Sequence, residues 1–343
     1  MGSHRAALLR LPKFDLAEPS SVTEAVELLA VHGEHARLMA GGTDLMPNMK
    51  HEIESPEFVI GLWNIPELKG VCETDEEVRI GATTTIHELC EHPLVADLFP
   101  SLQDACQHIA GPQLRRMGTI GGNVCLDTRC VYINQTYFWR QSLGFCLKKD
   151  GSVCHVVSGG RRCVAAASND SGPVLMTLGA QLKFASKEGT RTVAIDEFYD
   201  TDGVFNQKRS RTELLTEIII PKPKANTKSA YAKLRTRAAI DYPELGVAVL
   251  AELNDEQKIH HVDICVTALG AKPIRIKNLT GLVQGEMLNS ESITKLSEAA
   301  FKRCKPLKNI ASDPSYRRDM VPVYVKKALT QANQRSKLRV ITE

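Results

Sequence analysis

The most informative stretch of this sequence begins with Gly118-Thr119-Ile120-Gly121-Gly122-Asn123 and ends with Ser168-Asn169-Asp170. A glycine pair after a β-prone run lets backbone N–H groups approach a phosphate closely, because no Cβ stands in the way. Half of the ten cysteines lie between these two ends, at Cys125, Cys130, Cys146, Cys154 and Cys163. Thiols at this density indicate a metal or cluster site, whereas scattered free cysteines are usually small core residues. The stretch therefore predicts a phosphate-binding turn followed by a metal centre.

A second glycine turn lies nearer the N-terminus, where the apolar run 36–40 breaks into Gly41-Gly42-Thr43-Asp44-Leu45. Thr43 offers a hydroxyl beside free backbone donors, and Asp44 is placed to cap a following helical turn. A single turn of this kind is most often just a turn. Two strand–glycine turns in one chain raise the odds of a shared phosphate ligand.

Composition and length set the broad class of the protein. At 343 residues the chain is long enough for two or three domains, and 43% hydrophobic with 24% charged residues is typical of a soluble globular protein. A formal charge of +3 without a long basic run gives no support for nucleic-acid binding. No apolar run is long enough to predict a membrane span. The N-terminus lacks the apolar core of an export signal and free cysteines favour a reducing compartment, so we expect a cytoplasmic protein.

Helix and strand signals alternate along the chain, which predicts α/β or α+β domains. Capping-box patterns at Ser21 and Thr85, each with a glutamate three residues later, predict helices from there, the first to about His32. The Pro- and Lys-rich segment 221–228 is the best candidate for a linker. Further helices are predicted at 102–109, 290–304 and 316–334. Strands are predicted at 36–40, 58–62, 78–82, 174–176, 180–184, 190–194, 214–220, 231–235, 246–251 and 260–266.

The two glycine turns, in this order, resemble those of the flavin-binding subunits of the molybdenum hydroxylase (xanthine oxidase) family. Members of that family hold FAD with an Ala-Gly-Gly-Thr-Asp-Leu turn and a Thr-Ile-Gly-Gly-Asn turn. Here the matching segments run from Ala40 to Leu45 and from Thr119 to Asn123. The resemblance covers nearly the whole chain, including Ser168 to Ala180 and the segment 313–318.

This resemblance implies an α+β fold with two domains. The first is a two-lobed PCMH-type FAD-binding domain over 10–224, with lobes at about 10–68 and 69–224. The second is a sheet-plus-helices domain of the CO dehydrogenase flavoprotein type over 229–335. The first domain would also carry an insertion at 124–167.

The resemblance assigns residues to the cofactor as well. The backbone N–H groups of both turns would contact the FAD pyrophosphate, Ile109 would pack near the isoalloxazine, and Leu215 would line the site. Lys233 would lie near the polar edge of the ring, where a positive charge favours reduced anionic flavin. Asp170 would accept from a hydroxyl of the cofactor's sugar-like portion. The expected FAD-contacting residues are Leu38, Met39, Ala40, Gly41, Gly42, Thr43, Asp44, Leu45, Ile109, Thr119, Ile120, Gly121, Gly122, Asn123, Asp170, Leu215 and Lys233.

The insertion separates Asn123 from Asp170, which most members of the family join by a much shorter connection. It is similar to a loop in the flavin subunits of 4-hydroxybenzoyl-CoA reductases, which carries a [4Fe-4S] cluster and has similar cysteine spacing. By this resemblance Cys125 is the spare thiol. The cluster ligands would be Cys130, Cys146, Cys154 and Cys163. Four thiolates also suit structural zinc, which stays open as an alternative.

The function implied is that of an electron-transfer subunit with no catalytic residues of its own. Electrons would come from a low-potential, ferredoxin-like donor and pass between the [4Fe-4S] cluster and FAD. They would continue through [2Fe-2S] centres on a small partner to a molybdenum cofactor on a large molybdopterin-binding partner. There 4-hydroxybenzoyl-CoA would lose its ring hydroxyl and yield benzoyl-CoA. The alternatives are the FAD subunit of a hydroxylase acting on a purine, CO or another aromatic compound, and a zinc-stapled assembly subunit without flavin.

Overall fold

The computed structural model describes residues 9–335, which contain three β-sheets with associated helices. The three sheets define a first lobe, a second lobe and a C-terminal domain. In this part of the chain, no helix combines the length and apolar character that a membrane crossing needs. Mixed helices and sheets agree with the α+β class that the sequence predicts.

The first lobe is a small parallel sheet with one long helix. Its elements are β1 (Asp15–Ala17), α1 (Val22–His32), β2 (Ala36–Met39), α2 (Leu45–Lys50) and β3 (Phe58–Gly61), with 3-10 turns at Gly33–His35 and Pro66–Leu68. The strand order is β1-β3-β2. Ser21 caps α1 as predicted, because its hydroxyl accepts the Glu24 N–H at 3.2 Å. The Glu24 carboxylate completes the cap by accepting the Ser20 N–H at 2.8 Å.

The second lobe is an antiparallel sheet surrounded by short helices. Its elements, with the insertion between α7 and α9, are β4 (Val71–Glu73), β5 (Glu77–Gly81), α3 (Ile86–Glu91), α4 (Pro93–Leu98), α5 (Pro100–His108), α6 (Pro112–Arg115), α7 (Ile120–Val124), α8 (Tyr137–Ser142), α9 (Ser171–Thr177), β6 (Gln181–Ser186), β7 (Gly189–Ala194), α10 (Ile195–Phe198) and β8 (Leu214–Pro221). The strand order is β4-β5-β8-β6-β7. Thr85 and Glu88 form the predicted capping box at the start of α3.

The C-terminal domain is an antiparallel sheet buried on both faces. Its elements are β9 (Thr227–Leu234), β10 (Leu245–Leu253), β11 (Ile259–Thr267), β12 (Ile274–Arg275), α11 (Thr280–Val283), α12 (Ser290–Arg303) and α13 (Pro314–Gln334), with strand order β12-β11-β10-β9. Val247 and Val249 of β10 pack in a core with α12 and α13. Ala248 and Leu250 pack instead in the core of the second lobe. Burial on both faces explains why this strand reads as a continuous apolar run.

Three expectations from the sequence are corrected by the structure. The run 174–176, predicted as a strand, lies in α9, where all seven residues are buried. A helix buried on every side has no polar stripe, so a short apolar run does not reveal its period. The expected linker 221–228 shrinks to the five residues between β8 and β9, and the C-terminal domain gains β12 and α11.

Candidate functional site

The first glycine turn, between β2 and α2, lies directly against the second. A Cβ on Gly41 would lie 1.7 Å from the carbonyl oxygen of Met117, so only glycine allows this approach. Gly42 has a φ of +67°, a left-handed conformation that favours glycine. Within residues 9–335, the N–H groups of residues 41–44 donate to no backbone carbonyl. Unused donors in succession form the kind of backbone cradle that binds a phosphate.

The second glycine turn begins helix α7, and its backbone donors are already engaged. The Thr119 hydroxyl caps the helix by accepting the Gly122 N–H at 3.1 Å. The Gly121 N–H donates to the Ala82 carbonyl at 2.8 Å, and the Asn123 N–H donates to the Thr119 carbonyl at 2.9 Å. The family resemblance predicts that these three N–H groups contact the FAD pyrophosphate. In the structure they are hydrogen-bonded within the protein. Contact between this turn and FAD would have to use other atoms.

Asn123 ties the second turn to the start of α9. Its side-chain oxygen accepts both the N–H of Ser171, at 3.1 Å, and the Ser171 hydroxyl, at 2.6 Å. These bonds hold Asp170, the residue before Ser171, next to the turn. Two hydrogen bonds thus join residues that are 48 positions apart in the sequence.

Asp170 and Lys233 form an ion pair in the interior. Lys233 Nζ lies 2.9 Å from Asp170 Oδ2, its side chain is fully buried, and it also donates to the His108 carbonyl at 3.0 Å. The Tyr231 hydroxyl donates to Asp170 Oδ1 at 2.7 Å. Burial raises the pKa of Asp170, although Lys233 and Tyr231 act in the opposite direction. Each carboxylate oxygen already has one donor, so a cofactor hydroxyl would be an additional donor to Asp170.

We expect Lys233→Met to lower the free energy of unfolding by about 3–5 kcal/mol at pH 8, because it leaves a buried carboxylate without this cation. Without Lys233 the pKa of Asp170 rises further above its value in the unfolded chain. The folded variant then binds a proton more readily than the unfolded chain, so its stability falls as pH rises. Urea unfolding at pH 5 and pH 8 should show the larger loss at pH 8.

The double variant Lys233→Met/Asp170→Asn is the matched control. Removing the carboxylate charge should restore much of the stability and abolish the pH dependence. An equal loss at both pH values, with no recovery in the double variant, would contradict a stabilising ion pair.

The two expected apolar contacts have different degrees of burial. Ile109 follows α5, is half-buried, and packs against the core of the second lobe. Leu215, in β8, is 5% exposed and belongs to that core. Ile109 is thus accessible to a ligand, while Leu215 would offer only a small part of its side chain.

The insertion closes on itself and brings four cysteines to one cavity. Arg129 and Ala166 join its two ends through N–H···O bonds of 2.8 and 2.7 Å. Cys125 lies apart, packed against the core of the second lobe, and its carbonyl accepts from the Gln207 amide at 2.8 Å. The cavity is lined by Cys130, Cys146, Cys154 and Cys163, together with Tyr132, Ile133, Leu147, Lys148, His155, Val156, Val164 and Ala165. The structure thus gathers the four expected ligand residues and separates the fifth thiol from them.

Burial and a neighbouring lysine set the charge state around this cavity. Burial raises the pKa of Cys130 to about 11 and also raises that of Cys163. The Lys148 ammonium opposes the shift at Cys163, and it donates to Asp127 at 2.8 Å and to the Gly203 carbonyl at 2.6 Å. Thiols with raised pKa values release their protons when a metal binds, since the metal is coordinated by thiolates.

The spacing of the thiols bears on the kind of metal centre. A single zinc bonds each thiolate at about 2.3 Å, which places the four sulfurs within about 4 Å of one another. Among the residues that the structure describes, no three Cys, His, Asp or Glu side chains are arranged to hold one metal ion. A [4Fe-4S] cubane sets a whole cluster between its thiolates and requires wider spacing. Four thiols around one cavity are a donor set that structural zinc and a [4Fe-4S] cluster both use.

Contacts with the first lobe and the C-terminal domain anchor the insertion. Arg140 is buried and donates to the carbonyls of His51 and Glu52 in the first lobe, at 3.2 and 2.9 Å. Val131 donates its N–H to the Asn309 carbonyl at 2.9 Å. The Asn309 side chain donates to the Val164 carbonyl at 2.7 Å. The cysteine cavity is consequently held in place by distant parts of the chain.

Comparison with known proteins decides the family. Residues 12–223 match the FAD binding domain in molybdopterin dehydrogenase, and residues 229–332 match the CO dehydrogenase flavoprotein C-terminal domain. The chain belongs to the FAD-binding subunits of the molybdenum hydroxylase family. This flavin subunit therefore has the α+β fold that the resemblance implied, and it has an FAD-binding domain.

Relatives cover nearly the whole flavin subunit. It is 30% identical to the carbon monoxide dehydrogenase medium chain of Afipia carboxidovorans, over 94% of this chain and 98% of that one. It is 25% identical to the xanthine dehydrogenase FAD-binding subunit of Escherichia coli O157:H7, over 93% and 97%. A solved carbon monoxide dehydrogenase from Hydrogenophaga pseudoflava matches with a TM-score of 0.77 and 28% identity, over 94% and 98%.

The sequence patterns do not assign two residues of the flavin subunit's site, Arg129 and Tyr242. Arg129 donates to Asp44 Oδ1 at 3.0 Å, and the Tyr242 hydroxyl donates to the same oxygen at 3.2 Å. The Arg129 guanidinium also lies 4.0 Å from the centre of the Tyr242 ring. Asp44 therefore joins the first turn to the insertion and the C-terminal domain, and it does not cap α2 through its side chain as expected. The position of Arg129 next to Cys130 is the one sequence signal for its role, but its partners Asp44 and Tyr242 are distant in the sequence.

Proposed function

We propose that this chain carries FAD and a [4Fe-4S] cluster and transfers electrons within a molybdenum hydroxylase complex. The observation that supports this most is the single cavity lined by four cysteines, in a segment bonded to the first glycine turn. FAD supplies one- and two-electron chemistry when bound, and an iron–sulfur cluster supplies one-electron steps. A chain that holds both can connect one-electron and two-electron carriers.

In this proposal the residues of the chain position the cofactors, and none acts on the substrate. The N–H groups of residues 41–44 would receive phosphate oxygens, and Arg129 would hold positive charge close to them. Lys148 would place a second positive charge at the wall of the cluster site. Its bonds to Asp127 and the Gly203 carbonyl keep that charge in a fixed position.

We propose two partner subunits and an external electron donor. A small subunit with two [2Fe-2S] centres would exchange electrons with FAD, and a large molybdopterin-binding subunit would hold the substrate. A ferredoxin-like protein would reduce the cluster. The names of the relatives, a medium chain and an FAD-binding subunit, support membership of a multi-subunit enzyme.

For the reaction, we propose reductive removal of the ring hydroxyl of 4-hydroxybenzoyl-CoA to give benzoyl-CoA on the large partner. This part of the proposal rests on the cysteine-bearing insertion. The second candidate is oxidation of CO, a purine or another aromatic compound, and the names of the relatives favour it. Electrons would then leave the molybdenum centre through this chain instead of reaching it from here.

Protein purified without oxygen tests the proposal directly. Flavin absorption with a broad iron–sulfur shoulder and about four irons per chain would support it. Flavin bands alone would contradict the cluster, and zinc without flavin would favour the assembly subunit. Assays of the whole complex with 4-hydroxybenzoyl-CoA under reducing conditions, against CO and xanthine under oxidising conditions, would distinguish the two candidate reactions.

We expect the isolated chain to show no turnover of an aryl-CoA thioester, because its assigned motifs account for flavin and cluster but not for a molybdenum site. It should still reduce an artificial dye after its flavin has been reduced and the excess reductant has been removed. The measurement is benzoyl-CoA formation by the isolated chain and, as the control, by the whole complex. Dehydroxylation by the isolated chain would overturn its assignment as an electron-transfer subunit.

A further inference from the structure

The insertion exposes large apolar side chains beside the cysteine cavity. Phe138 is 78% exposed and Val153 is 57% exposed, while Trp139 and Leu143 are also exposed. Helix α8 contributes two of these residues, Leu143 follows directly after that helix, and Val153 immediately precedes Cys154. Exposed apolar residues concentrated in one segment commonly mark an interaction site.

Aromatic rings connect this exposed segment to the cavity. Tyr132 lines the cavity, and its ring centre lies 6.4 Å from that of Trp139. On another side Tyr132 contacts His155, which also lines the cavity, at 5.1 Å. A protein bound over Trp139 would therefore be separated from the cavity by little more than one layer of rings.

Positive charge is concentrated in the same segment. Residues 124–167 contain six Lys or Arg and two Asp, for a net charge of +4, whereas the whole chain carries +3. The remainder of the chain therefore has a net charge of −1. Arg161 and Arg162 are adjacent and exposed, immediately before Cys163. Arg140 is buried, and Arg129 and Lys148 are paired with Asp44 and Asp127. The attraction for an acidic partner would therefore come mainly from Arg161 and Arg162.

We propose that Phe138, Trp139, Leu143, Val153, Arg161 and Arg162 form a docking face for a small acidic electron-transfer protein. At each encounter the carrier loses one electron and the cluster gains one, with no atom transferred. The inference deepens the proposed function and depends on the cluster. Exposed aromatic residues combined with exposed arginines suit a transient, electrostatically steered encounter, whereas the core of a permanent subunit interface is depleted of charge.

The test uses the whole complex, with an acidic ferredoxin as the carrier and dithionite as a small reductant. Arg161→Glu/Arg162→Glu should raise the apparent KM for ferredoxin about tenfold at low salt and weaken its salt dependence, because two attractive charges become repulsive. Phe138→Ser should raise the KM with little change in salt dependence. Reduction by dithionite should proceed at the wild-type rate in both variants.

Lys326→Glu/Lys327→Glu is the matched control, since it makes the same charge change at exposed positions of α13. This control should leave the KM for ferredoxin within about twofold of wild type, because it leaves the docking face intact. With iron and flavin intact, an unchanged KM in both docking-face variants would overturn the docking face alone. Loss of another subunit from the complex would also overturn it, by assigning the face to a subunit interface. Absence of iron from the wild type would refute the cluster and this inference together.

Discussion

Serine in place of any one of the four cavity cysteines is expected to remove the iron–sulfur absorption and most of the iron, while FAD stays bound. Each thiolate supplies one of the four protein ligands of a [4Fe-4S] cluster, and a hydroxyl is a much poorer ligand. The flavin turn should survive because the approach of Gly41 to Met117 does not depend on the cavity. Iron per chain, the reduced-state EPR signal and flavin content measure the outcome. The four substitutions are Cys130→Ser, Cys146→Ser, Cys154→Ser and Cys163→Ser.

Cys125→Ser is the matched control within the same segment. Cys125 packs against the core of the second lobe and does not line the cavity, so its substitution should retain about four irons per chain. Loss of iron in Cys125→Ser, with Cys130→Ser unaffected, would reverse the assignment of the spare thiol. Zinc in place of iron in protein made anaerobically would end the electron-transfer proposal.

Gly42→Val is expected to abolish flavin retention. Valine at a φ of +67° costs about 1–3 kcal/mol in backbone strain, and its side chain meets those of Met39 and Met46. Relief of either conflict moves the N–H groups of residues 41–44, which are the proposed phosphate donors. Flavin per chain after gel filtration measures retention, and circular dichroism reports whether the variant is folded.

Gly179→Val separates loss of the site from backbone strain. Gly179 has a φ of +68°, nearly the same as Gly42, and a Cβ there would meet only Pro221, at 3.9 Å. The two substitutions should therefore destabilise the chain by similar backbone strain. Only the Gly42 variant should lose its flavin. A folded Gly42→Val protein with full flavin content would remove the first turn from the cofactor site.

Local signals in the sequence predicted local structure well. The caps at Ser21 and Thr85 involve side chains within three residues of their partners, so the pattern contains the whole interaction. The period-2 and apolar runs of the C-terminal strands are local signals of the same kind. The run 174–176 reads as a strand because total burial, a property of the tertiary fold, removes the polar positions that reveal a helix.

Contacts between distant residues account for most of what the sequence did not predict at the site. The Gly121 N–H is engaged because Ala82 lies against it, and no motif encodes that approach. Asp44, Arg129 and Tyr242 come from three separate parts of the chain, so their association had no local signal. The cysteine cluster was visible as a high local density of thiols, but their common cavity depends on tertiary contacts.

The hydrogen bond between Val131 and Asn309 links two residues that the ribosome adds to the chain at widely separated times. The ribosome adds about 5–20 residues per second, so the 178 positions between them take roughly 10–35 s to synthesise. Until then the segment that bears the cysteines lacks the residue that secures both of its ends. The thiols of this segment leave the ribosome before the contacts that bury them can form. A reducing environment would keep them from oxidising until Asn309 has been synthesised.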